Sequence, residues 1–93
     1  MTGYKYSEIK PTGAKTPEAL HFDLFLGERT IPVSVSREAL EDHSKKTGIR
    51  FADLAYGMVE YLQTYQPEFG EIAANKVRAV ERVMITSEDI ANL

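Results

Sequence analysis

Residues 20–35 read LHFDLFLGERTIPVSV, and the fold turns on how they are paired. Leu20, Phe22, Leu24 and Leu26 alternate with His21, Asp23 and Phe25. Further on, Ile31, Val33 and Val35 alternate with Pro32 and Ser34. Side chains along a strand point to opposite faces in turn, so this pattern predicts a β-hairpin with one apolar face. The loop sets the register. A two-residue loop, Gly27-Glu28, pairs Leu24 with Ile31, Phe22 with Val33 and Leu20 with Val35. A four-residue loop, Gly27 to Thr30, pairs Leu26 with Ile31 and Leu24 with Val33. Both keep the apolar faces together, whereas a three-residue loop turns one face outward. Glycine suits the first position of a type II′ turn, which favours the two-residue loop. Pro32 then takes a non-hydrogen-bonded position, its missing N–H directed away from the hairpin. Residues 30–35 are therefore expected to form a sheet edge.

Downstream, SREALEDHSKKTG (36–48) carries a full set of helix boundary signals. Ser36 is a good N-cap, and Glu38 sits in the first turn, where the helix dipole favours an anion. Lys45 and Lys46 occupy the last turn, and Gly48 suits the left-handed residue that follows a helix. A helix over 37–47 follows. Glu41 with Lys45, and Asp42 with Lys46, are expected to pair at i, i+4. A second helix is predicted over 51–65, burying Phe51, Leu54, Ala55, Met58, Tyr61, Leu62 and Tyr65. Pro67 suits a first turn, so a third helix is expected over 67–79, with Phe69, Ile72, Ala73, Lys76 and Val77 inward. Pro67 and Gly70 are also kink formers, which leaves one bent helix as the alternative. Residues 81–86 read as a returning strand and 87–93 as a short tail.

Upstream, Tyr4, Tyr6 and Glu8 alternate weakly with Lys5, Ser7 and Ile9, an arm or an edge strand; KPTGAKTPE (10–18) reads as a loop. The organisation expected is an amino-terminal arm or edge strand plus loop over 1–18, and one α+β domain over 19–93. In that domain a small antiparallel sheet of three to four strands is covered on one face by two to three helices. Ninety-three residues suit one such core, and about 64% of the extended chain's surface is buried at this size. An interior catalytic cavity would remove much of that core.

The net charge of −3 gives no bulk attraction to nucleic acid or an anionic membrane. The chain has no cysteine, so disulfides, thiolate chemistry and cysteine-based zinc sites are excluded. No signal-like apolar core and no 18-residue apolar run occurs, which points to the cytoplasm of a bacterial-type cell. The two histidines, His21 and His43, form no HxxxH or HExxH motif; a metal would need Asp23 or Asp42 as well, and neither metal nor cofactor is predicted. No GxSxG turn or GxxxxGK[ST] loop is present, and the carboxylate pairs are only helix neighbours. The chain is therefore read as a non-enzyme. An enzyme would need a pocket built on His43, Glu41 or Asp23, and the role of His43 stays open.

Two surfaces remain. Tyr56 and Val59 lie off the buried stripe of the second helix and, with the edge at Pro32 and Ser34, mark an interaction surface for a protein partner, a second copy included. Tyr4, Lys5, Tyr6, Lys10 and Lys15 make the amino end basic and aromatic, a combination suited to single-stranded nucleic acid. The protein partner is the leading expectation and nucleic acid the alternative.

IPVSVSREALEDH (31–43), IAANKV (72–77) and VMITSEDI (83–90) together resemble a family of short bacterial proteins, domain of unknown function family 1488. The runs at 35–43 and 85–90 carry most of the likeness, which spans about residues 20–90. Gln66-Pro67-Glu68 stands where members often carry an Asn-Arg pair. The resemblance implies an α+β fold, with an antiparallel sheet against helices, and no catalytic residues to carry over.

Overall fold

The computed structural model describes residues 5–10, 18–52, 54–77 and 82–91. The hairpin is as the alternation requires. Strands β2 (Ala19–Leu26) and β3 (Arg29–Ser36) pair antiparallel, with Leu24 opposite Ile31, Phe22 opposite Val33 and Leu20 opposite Val35. Gly27 has φ 62° and no described non-glycine residue has positive φ, the signature of a type II′ turn over Gly27-Glu28. The amino end joins the sheet. Strand β1 (Lys5–Tyr6) pairs with β2, Lys5 opposite Phe25 and Tyr6 opposite Leu24. Farther along, Lys10 bridges His21, so the register slips by one residue in between. At the slip the Ser7 hydroxyl accepts the Asp23 N–H at 2.8 Å, standing in for a strand carbonyl.

Helix α1 (Arg37–Thr47) has the expected boundaries: Ser36 caps Ala39 N–H, and Gly48 is left-handed at φ 76°. The charge pairs on it are a correction. Among the described residues neither Glu41–Lys45 nor Asp42–Lys46 forms an ion pair; Lys46 instead donates to Ile90 O at 2.6 Å. A buried backbone acceptor that lacks a partner is a larger penalty than a solvated pair is a gain, at roughly 1–3 against 0.2–0.5 kcal/mol.

Helix α2 (Ala55–Lys76) is continuous through Pro67, which corrects the two helices expected over 51–65 and 67–79. A proline inside a helix costs ~3 kcal/mol. Met58, Tyr61 and Leu62 on one side of it, and Phe69 and Ala73 on the other, all bury in one core. Each large side chain buried contributes about 1.5–3 kcal/mol, so the shared core outweighs the break. Pro67 itself is exposed. The start moves too: Leu54 is the N-cap residue and stays exposed rather than joining the stripe.

The carboxy end holds two more corrections. Strand β4 (Val83–Ile85) runs parallel to β3, against Val33, Ser34 and Val35, so the sheet is mixed and β3 is an inner strand over those residues. Pro32 survives as a boundary, because extending the ladder past Val83 would call on its missing N–H. Residues 87–91 are not a tail but a short helix, α3 (Ser87–Ala91), with Ile90 fully buried. The sheet order is β1-β2-β3-β4. The helices cover the face made by Leu20, Phe22, Leu24, Ile31, Val33, Val35, Val83 and Ile85, while His21, Asp23, Phe25, Pro32, Ser34 and Met84 line the other.

Candidate functional site

His43 is the one buried polar side chain among the described residues, at 2% exposure. Its position on α1, three residues after Leu40, turns it into the helix layer. There Tyr61, Tyr65 and Phe69 of α2 surround it with ring centroids 4.8–5.7 Å away. Both ring nitrogens are engaged. Nδ1 lies 2.6 Å from the Tyr61 hydroxyl, and Nε2 lies 3.1 Å from the Glu68 carboxylate. The tautomer with Nε2–H toward Glu68 satisfies both contacts, Nδ1 accepting from Tyr61. The Tyr61 oxygen also lies 3.1 Å from Thr47 Oγ1, which accepts the Ile49 N–H and reaches Ser44 O. Burial pushes the Tyr61 phenol above its ordinary pKa, and the charges of Tyr65 and Glu68 add to this; the Thr47 hydrogen bond opposes them without cancelling. Tyr61 thus stays a neutral O–H donor, the form this chain needs. The arrangement locks α1, α2 and the start of their connection together. It leaves His43 no free nitrogen for a substrate or metal.

A cleft of about 360 Å³ opens above this cluster. The connection from α1 supplies Ile49, Arg50 and Phe51, and α2 supplies Tyr56, Glu60, Tyr61, Thr64 and Tyr65. Phe51 packs on Tyr61, and Tyr61 on Tyr65, with centroids 5.0 and 4.8 Å apart, so the floor is a row of rings. Gly57 lets the connection approach: a Cβ there would meet the Ala52 backbone. At the rim Tyr56 is 76% exposed and Ile49 52%. Leu54, two residues before Tyr56, is 53% exposed. Among the described residues, three of the five exposed large hydrophobics thus fall between positions 49 and 56, a clustering that ordinary surfaces avoid.

The residues singled out in the sequence divide between two places. Tyr56 stands at the cleft, uncovered by any helix, while Val59 is partly buried against the core. Pro32 and Ser34 lie on the open sheet face, where the Ser34 hydroxyl meets His21 Nδ1 at 2.8 Å. Of the basic-aromatic arm, Lys5 and Lys10 are exposed. Tyr6 is turned into the core, edge-on to Phe22 and over Gly70. Tyr4 and Lys15 lie outside the described residues. Glu41 lines a second hollow, Asp23 and His43 line neither that hollow nor the cleft, and no described group of three His, Asp or Glu is placed to hold a metal. Ile49, Phe51 and Leu54 were not legible as surface, because a helix begun at residue 51 turns both Phe51 and Leu54 inward. The His43–Glu68 contact spans 25 positions and has no local signal.

No described helix is long and apolar enough to cross a membrane. In comparisons with protein families, curated proteins and solved structures, nothing matches this chain.

Proposed function

We propose that this chain is a small cytoplasmic protein-interaction module that catalyses no reaction and meets its partner at the α1–α2 connection. One observation carries the reading: Ile49 and Tyr56 are exposed at the rim of an open, ring-floored cleft, Leu54 is exposed two residues before Tyr56, and the buried His43–Tyr61 pair lies beneath. Aromatic side chains around a preformed concavity are the usual anchors of protein contacts. The engaged nitrogens of His43 favour a structural role for it over a catalytic one. Kinship with the family of unknown function that the sequence resembles belongs to the same proposal. The test is a photo-crosslinking amino acid placed at position 56, 32 or 84 in producing cells. Protein adducts at 56 and none at 32 or 84 are expected; adducts confined to 32 or 84 would move the surface to the sheet.

A second reading, single-stranded nucleic acid, draws on the cross-strand pairs Lys5–Phe25 and Lys10–His21 along the β1 side of the open sheet face. A cation beside a ring suits phosphate and base together. Fluorescence anisotropy with labelled oligonucleotides at low salt decides it: no binding there ends this reading.

A further inference from the structure

The occupant of the cleft follows from its own shape and charge. The same surface carries a projecting ring, Tyr56, and beside it a ring-floored hollow. It also carries one cation and one anion, Arg50 and Glu60, on the walls of that hollow, and neither forms an ion pair with a described residue. An adjoining hollow of about 450 Å³ shares Arg50 and Phe51 and repeats the mixture, with Glu41 and Lys45. A surface that holds both a knob and a hole, and both signs of charge, is complementary to itself under a two-fold axis. We propose, resting on the interaction reading above, that the partner is a second copy of this chain, each Tyr56 entering the other's cleft and each Arg50 facing the other's Glu60.

The size fits. A hollow of about 360 Å³ lies within the ~300–1,000 Å³ range that holds a small organic ligand, so a phenol ring enters with room for flanking atoms. The ring would lie against Phe51, Tyr61 and Tyr65, where aromatic pairs at 4.5–7 Å are favourable. A partner of uniform charge fits less well, since one of Arg50 and Glu60 would always face its own sign. The alternative meeting place, the open sheet face, contributes no residue to either hollow, and Pro32 and the three-residue β4 interrupt its far edge.

Sedimentation equilibrium over a hundredfold range of concentration tests the proposal. The chain is expected to pass from its own mass toward twice that mass. Tyr56→Ala should weaken the association at least about tenfold, as loss of a central aromatic anchor does. Arg50→Glu and Glu60→Arg should each weaken it by placing like charges together, and the double variant R50E/E60R should restore it. Circular dichroism of each variant should match that of the unaltered chain, since all three side chains lie at the surface. Twice the mass of one chain at every concentration also supports the second copy, whereas the mass of one chain throughout overturns it. So does a double variant no stronger than the singles. Adducts at position 56 with other proteins would then leave the interaction reading standing, and their absence would remove that as well.

Discussion

The cleft at the α1–α2 connection and the open face of the sheet both expose apolar side chains, and they differ in how these are arranged. On the sheet, Phe25 of β2 and Met84 of β4 are separated by a whole strand, β3, whose outward residues include Thr30 and Ser34. Scattered exposure of this kind is ordinary, because a small protein has too little polar surface to cover itself. At the connection, Ile49, Leu54 and Tyr56 fall within eight positions, and Ile49 and Tyr56 line a hollow. The sheet face is also rigid by its ladder, whereas the cleft depends on one buried polar cluster. A single residue type count would rank the two faces alike; arrangement separates them.

The largest test of that contrast is to remove the support beneath the floor of the cleft. His43→Ala deletes a fully packed ring and leaves the Tyr61 hydroxyl one partner short. It should destabilise the chain by about 3 kcal/mol in urea unfolding, within the range of large-to-small core changes. Tyr61→Phe keeps the ring and removes only the hydroxyl, so about 1–3 kcal/mol is expected from the orphaned Nδ1. If His43→Ala proved neutral, the cluster would not be what holds the cleft.

Gly70→Ala probes the sheet side instead. Alanine adds about 1 kcal/mol of helix propensity, but its Cβ would meet the Tyr6 ring. The clash should win, giving a net loss of about 1–2 kcal/mol. Amide exchange should quicken at Tyr6 and Ser7 and stay unchanged at Ile49.

Asp89→Asn acts away from both faces and sharpens the contrast as a control. Burial pushes the Asp89 carboxyl up, but the Thr86 N–H, the Lys76 ammonium at 2.9 Å and the Thr86 hydroxyl together hold it below its ordinary value. A folded-state pKa below the unfolded one means that the unfolded chain binds more protons. The stabilisation is therefore present above the ordinary aspartate value of about 3.8 and is lost as pH falls through the lower folded value. Asp89→Asn should lose about 1 kcal/mol at neutral pH and flatten that acid limb of the stability profile.

The smallest expected effects on stability come from the two faces themselves. Tyr56→Ser should change stability by less than about 0.5 kcal/mol, since the ring is 76% exposed, and Phe25→Ser by about 1 kcal/mol, since that ring is 37% exposed and lies in the sheet. Only Tyr56→Ser should diminish crosslinks or self-association. Equal losses from Phe25→Ser would erase the distinction between the faces.

Legibility followed the range of the interaction. Every boundary of α1 was readable because the signals, Ser36, Glu38, Lys45, Lys46 and Gly48, lie within a turn of what they cap. The ending TSEDI was half readable. Asp89 accepts from both the Thr86 N–H and the Thr86 hydroxyl, one half of a capping box, but burial of Ile90 makes it a helix, and that needs Lys46 of α1 and Lys76 of α2 to satisfy Ile90 O and Asp89. The continuity of α2 was beyond local reading, since Pro67 argues against it and only burial of both halves in one core decides it.

The cleft shows the same division. Tyr56 stood out from the sequence, being off the buried stripe, while its neighbours Ile49 and Leu54 did not. Their exposure depends on where α2 begins, and that depends on Gly57 meeting Ala52. The sequence by itself determined the hairpin and its register, the first helix, the absence of cysteine chemistry and the acidic charge, because alternation, caps and composition act between neighbours or over the whole chain at once. Only the tertiary structure decided the parallel β4, the unbroken α2, the engagement of His43 by Tyr61 and Glu68, and the hollow beside Tyr56. Each of these joins residues far apart in the chain, and their energies exist only once the chain has folded.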